Sequence, residues 1–359
     1  MICNLFRIPL TIKKISKLNS NKIAIRCLTA PQTGYGNFRR CLYLAETLRK
    51  KNIEIYFIID YNTSILSILR KKKFPFTYNS TRNNKTDSQF VSSFLSKNNI
   101  SNIIIDMRDK GEKLSKFLSK ENHKQFFFDD AWSKKVYADI LFNGTNVSDY
   151  HNYVKVNKSA KLFLNTKYWI VPTEFSKFRK KLVDIKQKRK YTVIISMGGS
   201  DPNNITSNVI ESIKNITSLK IIVIVGPFFS HLSKLRKITK SHNNIKLIKP
   251  TEKLWKEFSR VDIAISNGGN TLFELATMSV PTLTIPGFKH EIKYAEAFMS
   301  DNFSINLGFC QSNKKIIHSS LNDLLSDLSL RKKMCVHGKK IVDGKGLSRV
   351  VKIILKSMQ

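Results

Sequence analysis

Three stretches of this chain set glycines beside hydroxyls, amides and carboxylates at the ends of apolar runs, a composition suited to loops that meet a polar ligand. In TGYGNF (33–38), Gly34 and Gly36 permit a sharp turn and a close backbone approach, and Asn37 opens a helix-like run. The spacing is not the full dinucleotide fingerprint, because Arg39 stands where the third glycine would fall, so a tight turn and a ligand loop both stay open. In SMGGSDPNNIT (196–206), Gly198, Gly199, Ser200 and Asp201 lead through Pro202 into a helix, and free N–H groups at such a start favour phosphate. Asp201 would equally serve as the cap of that helix. In ISNGGNTLFELATMSVPTLTIPGFKHE (265–291), Asn267, Gly268, Gly269 and Asn270 precede a helix expected to start near Thr271, with Glu274 at capping-box spacing. Glu274 either closes that helix start or accepts hydrogen bonds from a sugar diol held above it. Asp129 and Asp130 end the run FFFDD, where paired carboxylates could push one pKa upward or one could cap a turn, and Asp106 ends IIIDM in the same way.

Loops of this kind work only when buried strands hold them at one edge of a sheet. Runs of four to eight residues rich in Ile and Val provide candidates: KIAIRCL, IEIYFII, NIIIDM, QFFFDD, DILFN, TVIISMG, KIIVIVG, IKLIKP, DIAISN and PTLTIP. Continuous apolar runs are typical of strands buried on both faces, and the helical patterns between them argue for right-handed βαβ units and parallel sheets. The rhythm breaks at 166–190, a charged segment with a proline, which predicts a connection between two domains. The expected fold is therefore α/β and GT-B-like: two doubly wound, Rossmann-like domains whose parallel sheets face a central cleft. The expected boundaries are a basic N-terminal extension at 1–21, an acceptor- or sugar-side domain at 22–165, and a nucleotide-sugar domain at 191–359. The last helix is expected to pack back on the N-terminal domain.

The composition narrows the function classes. No window approaches the roughly eighteen apolar residues of a spanning helix, and the start lacks a small-residue cleavage site, which leaves a weak amphipathic surface-binding segment there. Cysteines at 3, 27, 41, 310 and 335 have no paired spacing, against a disulfide framework or a zinc site and in keeping with a reducing cytoplasm. The formal net charge of +36 would suit nucleic acid, an anionic membrane face or a phosphate-bearing substrate. Lysines are dispersed, and runs such as RKKKF lack the interleaved aromatics of a single-strand platform. Compositional drift is the leading account, peripheral contact with the inner face of an anionic membrane comes next, and nucleic acid is last. No cofactor, metal cluster or oligomeric state is implied.

Five segments, GYGNFRRCLYLAETL, FFDDAWSKKVYADILFNG, ISMGGSDPNNIT, SNGGNTLFELATMSVPTLTIP and VDGKGLSRVV, fall in an order that resembles a known family. It is that of the UDP-2,4-diacetamido-2,4,6-trideoxy-β-L-altropyranose hydrolases of pseudaminic acid synthesis and the related spore-coat polysaccharide proteins, themselves similar to MurG-type GT-B glycosyltransferases. The resemblance covers roughly residues 22 to 350 and implies metal-independent action at the anomeric carbon of a UDP-sugar. It implies that Gly268, Gly269, Asn270 and Thr271 embrace the diphosphate, with Glu274 on the ribose. Gly198, Gly199, Ser200 and Asp201 would line the other side, and Gly34, Gly36 and Arg40 would face the sugar. Where the family shows an acidic or amide residue followed by Gln, this chain has His290 and Glu291 at the expected sugar contact.

The sharpest departure is Asn37. The family usually has histidine there, taken to activate water, and an asparagine amide cannot titrate in its place. Loss of a general base typically costs about a hundred- to ten-thousand-fold in rate. Three readings follow: a hydrolase whose base is Asp129, Asp130 or His290; a glycosyltransferase in which Asn37 positions an acceptor hydroxyl and a carboxylate takes its proton; or a protein that binds a nucleotide-sugar without turning it over. A nucleic-acid-binding or scaffolding protein with merely structural glycine turns is the contrasting class.

Overall fold

A computed structural model describes residues 21–29, 36–79, 84–130, 133–148, 151–249, 251 and 253–359. The expected N-terminal surface segment and Gly34 lie outside the described residues. From the amino end run β1 (Lys22–Cys27), β2 (Glu54–Asp60), β3 (Phe76–Asn79), β4 (Asn102–Asp106), β5 (Lys124–Phe128), β6 (Lys135–Val136), β7 (Ile140–Asn143), β8 (Val154–Lys155) and β9 (Lys161–Leu164). β6 and β8 pair with each other, and the remaining strands form a seven-stranded sheet in the order β3-β2-β1-β4-β5-β7-β9. Then come β10 (Tyr191–Ser196), β11 (Leu219–Ile224), β12 (Ile245–Ile248), β13 (Ile263–Ser266), β14 (Thr282–Thr284) and β15 (Ser304–Asn306), a six-stranded sheet ordered β12-β11-β10-β13-β14-β15.

The ladders between these strands are parallel, as β-branched runs covered by helices on both faces require. In each sheet the first strand lies at the point where the order reverses. Ile25 of β1 pairs with Phe57 and Ile104, and Ile195 of β10 with Val223 and Ile265. That reversal opens a crevice beyond the carboxyl ends of β1 and β4, and another beyond β10 and β13. The fold is thus the two-sheet α/β arrangement expected from the strand pattern.

The chain crosses between the halves twice. Residues 165–190 carry it forward through short helical turns, and the final helix, Gly346–Met358, brings it back. Leu347, Val350, Val351 and Ile354 of that helix are buried in the same cluster as Ile23, Phe38 and Phe57 of the first half. Trp169, just past the first sheet, stacks on Phe273 of the second half with ring centroids 3.7 Å apart and planes 13° from parallel. No helix among the described residues is long and apolar enough to cross a membrane.

The return helix begins against the Trp169 backbone so closely that any β-carbon at Gly346 would overlap that residue's carbonyl. Gly346→Ala is expected to lower the unfolding free energy by about 1–3 kcal/mol through this overpacking. Urea denaturation measures it, and an unchanged midpoint would show that the helix start can shift without loss.

Candidate active site

The two crevices face one another and line a common cleft that is open to solvent. Helix N-termini or loops from both halves supply its wall: Gly36 after β1, Arg108 after β4, Asp130 after β5, Gly198-Gly199-Ser200 after β10, Gly226-Pro227 after β11, and Asn267 with Gly269-Asn270-Thr271 after β13. Phe288, His290, Glu291 and Tyr294 close the side that follows β14.

Close approach explains the glycines. A β-carbon on Gly36 would lie 2.5 Å from Asn270 Nδ2, so a side chain there would have to displace the Asn270 amide where the first helix of one half abuts the Gly-Asn-Thr helix start of the other. Gly198 has φ +76°, in the left-handed region that favours glycine, and its turn brings it beneath Asn267.

Under the cleft floor lies a buried charge cluster. Arg40 donates from Nε and Nη2 to the two oxygens of Asp106 at 2.8 and 2.7 Å, and from Nη1 and Nη2 to those of Asp130 at 2.7 and 3.0 Å. Asn37 Nδ2 donates to Asp106 Oδ1 at 2.7 Å, and Cys41 Sγ lies 3.3 Å from Oδ2. Burial opposes ionisation of Asp130, yet the guanidiniums of Arg40 and Arg108 hold its carboxyl below the usual range. The expected upward push from a neighbouring carboxylate is therefore overturned at Asp130, because Arg40 supplies the opposite charge. Asp129 is sealed away, accepting from Tyr153 Oη at 2.6 Å and from the Ser133 amide at 3.3 Å.

Beside Asp130, burial and the Arg108 charge push His290 down to about 4 despite the nearby carboxylate, so its ring is neutral at pH 7. Glu291 accepts from Asn267 Nδ2 at 2.6 Å and from the amides of Gly287 and Phe288 at 2.8 and 3.3 Å. Burial pushes it up to about 7 against those donors. Its carboxylate lines the cleft while bracing the loops around it.

Glu274 does not close its helix. That helix runs Asn270–Met278 with Gly269 at the N-cap position and no side-chain cap, so Glu274 is too far along to reach the N-cap amide. Instead its Oε1 pairs with Arg39 Nη2 of the other half at 3.0 Å, while Oε2 is buried with no hydrogen-bond partner among the described residues. Burial raises its pKa and Arg39 opposes the rise. Arg39 also donates to Tyr43 Oη at 2.6 Å.

The sequence-predicted residues thus divide. Gly36, Gly198, Gly199, Ser200, Asn267, Gly269, Asn270, Thr271, Asp130, His290 and Glu291 line the cleft. Asn37, Arg40 and Asp106 sit below its surface in the charge cluster, and Gly268 packs under the Glu291 backbone. Asp201 faces away: its oxygens accept from the Ile205 and Thr206 amides, both at 2.9 Å, which makes it a helix cap with His231 3.3 Å away. Sequence reasoning missed Arg39, Arg108, Trp169 and Tyr294. Arg108 directly follows the strand IIIDM, so the rule that ligands sit beyond strand ends pointed to it. Arg39 entered only as a missing glycine. Among the described residues, no group of three or more His, Cys, Asp or Glu is placed to hold a metal ion.

Comparison with known proteins places this geometry. No family model matches the chain. It is similar to the spore coat polysaccharide biosynthesis protein SpsG of Bacillus subtilis, 24% identical over 249 residues that cover 68% of this chain and 72% of that one. The resemblance expected from the motifs is thus met by direct sequence similarity. An uncharacterised protein of Methanocaldococcus jannaschii is 28% identical over 278 residues, 74% of this chain, and the chain spans about half of that relative, 55%. Among solved structures, MurG of Acinetobacter baumannii matches with TM-score 0.69 at 14% identity, covering 93% of this chain and 99% of that one. UDP-GlcNAc 2-epimerase from Neisseria meningitidis, bound to UDP-GlcNAc, matches with TM-score 0.62 at 14% identity, covering 93% and 100%. At such identities the likeness is one of fold, the GT-B arrangement of two facing Rossmann-like halves.

Two outcomes follow from the charge cluster and its neighbour. Arg40→Met leaves two carboxylates buried without their cation and is expected to cost roughly 3–5 kcal/mol of stability in urea denaturation. A loss below about 1 kcal/mol, the range of an exposed pair, would mean that the cluster is open to water. For Glu291, the folded protein keeps a proton between the ordinary value of 4.5 and about 7 that the unfolded chain has released. Stability should therefore fall as pH rises through that window, on the order of 3 kcal/mol, and Glu291→Gln should remove this component. Melting temperature against pH for both proteins checks it, and parallel curves would refute it.

Proposed function

We propose that this protein binds a UDP-sugar across the cleft and catalyses displacement of UDP from the anomeric carbon by a hydroxyl, in surface polysaccharide or nonulosonic acid biosynthesis. One observation carries the reading. The Gly269-Asn270-Thr271 helix start opens into the cleft, and one turn inside it lies a buried carboxylate, Glu274, with one oxygen unpartnered. A helix N-terminus suits a diphosphate, and an unpartnered buried carboxylate oxygen suits the diol of a ribose. The Neisseria meningitidis neighbour holds UDP-GlcNAc, and SpsG is a polysaccharide biosynthesis protein, both in keeping with this assignment.

In this reading the amides of Gly269, Asn270 and Thr271 meet the diphosphate, and the helix dipole stabilises the charge that grows on it as the glycosidic bond breaks. Gly198, Gly199 and Ser200 close the opposite side. Charge on the departing UDP requires no metal in this scheme, because fixed N–H groups meet it. The anomeric carbon, oxocarbenium-like in the transition state, is attacked by a hydroxyl whose proton passes to Asp130 or His290. Both line the cleft in proton-accepting form at neutral pH, Asp130 held ionised by Arg40 and His290 neutral. Asn37 orients this apparatus through Asp106 rather than touching the proton. The attacking hydroxyl belongs to a sugar acceptor in the transferase form of the reaction and to water in the hydrolase form.

A second reading, binding without turnover, is favoured by Asn37 itself, whose amide is tied to Asp106 where the family resemblance calls for a titrating histidine. Calorimetric titration with UDP, followed by assay of UDP release from a panel of UDP-sugars with and without acceptors, decides among these. Release without acceptor means hydrolysis, release only with acceptor means transfer, and binding without release favours the second reading. Glu274→Ala is expected to weaken UDP binding about tenfold or more, the worth of a charge-assisted hydrogen bond. Unchanged UDP affinity in that variant, or none in the wild type, would overturn the nucleotide assignment.

A further inference from the structure

Arg108 has no part in the scheme above. It follows β4 at the reversal point of the first sheet, opens a short helical turn (Arg108–Lys110), and lines the same cleft as the Gly-Asn-Thr helix start. Its φ is +46°, in the left-handed region that non-glycine residues rarely adopt. Met107 on one side is buried in the core of the first half and, a few residues on, Gly111 is buried at the start of the next helix, so packing holds that conformation. Strain of this kind concentrates at functional sites.

The guanidinium makes no hydrogen bond or ion pair with a described residue, although Asp130, His290, Glu291 and Tyr294 all feel its charge. The two nearby carboxylates have other donors. Both oxygens of Asp130 accept from Arg40, and both of Glu291 accept from Asn267 or from the Gly287 and Phe288 amides. His290 is neutral and offers no counter-charge. The diphosphate of the proposed ligand is assigned above to the amides of Gly269, Asn270 and Thr271, which leaves Arg108 for a further anion in the same cleft. Five N–H donors in a planar fork are therefore left at the cleft wall, a geometry that matches a carboxylate or phosphate.

We infer that Arg108 forms a second anion subsite, so that the substrate pair carries an acidic group beyond the diphosphate: a carboxylate on the donor sugar, or a carboxylate or phosphate on the acceptor. This rests on the nucleotide-sugar reading and adds to it the chemical class of the sugar-side ligand.

The test titrates UDP, UDP-glucose and UDP-glucuronate into wild type, Arg108→Gln and Arg108→Lys by calorimetry at low salt, with thermal melts to establish folding. A donor-borne acid predicts that wild type prefers UDP-glucuronate to UDP-glucose by about tenfold or more. Arg108→Gln should lose that preference, Arg108→Lys should keep part of it, and UDP should bind all three alike. An acceptor-borne acid predicts no donor preference, and instead binding of inorganic phosphate to the UDP-saturated wild type that Arg108→Gln abolishes. Neither preference nor phosphate binding, or either one persisting in Arg108→Gln, overturns the subsite while leaving the nucleotide reading intact. Failure of wild type to bind UDP would take down both.

Discussion

The guanidinium of Arg40 is a charge that this fold has taken out of water, and much of the site's geometry follows from that. A buried cation is tolerable only with opposite charge and filled donors, and here two carboxylates provide both. Arg40 stands on the helix after β1, Asp106 ends β4 and Asp130 follows β5, so satisfying one side chain pins the ends of three neighbouring elements. Phe128 and Trp169, each 5.8 Å from the guanidinium, limit access of water to the cluster. Asn37 and Cys41 complete the shell around Asp106 and so belong to the scaffold of the cleft rather than to its surface.

The second half is joined to this scaffold by contacts that leave little slack. Gly36 meets Asn270, Arg39 meets Glu274, and Trp169 stacks on Phe273. All three contacts reach the same helix, Asn270–Met278, whose start is the proposed diphosphate site. The N-terminal half thereby touches the helix that would hold the nucleotide. Arg39 occupies one oxygen of Glu274, and the other has no partner among the described residues. The return of the C-terminal helix to the first core adds apolar burial that resists separation of the halves.

Transfer and hydrolysis at an anomeric carbon make the same demand on such a cleft: fixed donors where the leaving diphosphate gathers charge, and a proton acceptor on the opposite face. Under the proposed function, the residues lining the two faces would answer those demands separately. Glycine-rich helix starts come from the second half, while Asp130 and Arg108 come from the first, with His290 reaching across beside them. Asn37, in the first turn of the helix after β1, stands where the family resemblance calls for a titrating histidine, yet the electrostatic frame of Arg40, Asp106 and Asp130 remains around it.

The strand runs, their alternation with helices and the glycine loops at their ends were legible in the chain itself, because each depends on residues a few positions apart. Continuous Ile and Val runs can be satisfied only by burial on both faces, which leads to parallel sheets and hence to ligands beyond their carboxyl ends. What the local pattern could not decide was where each charge would point. Asp201 turned to its own helix start, and Glu274 turned from its helix to Arg39. Arg40 found Asp106 and Asp130 at separations of 66 and 90 residues. Those choices depend on which strands become neighbours and how the two halves meet. A buried charge takes the nearest opposite charge in space, and only the assembled sheets determine which residue that is.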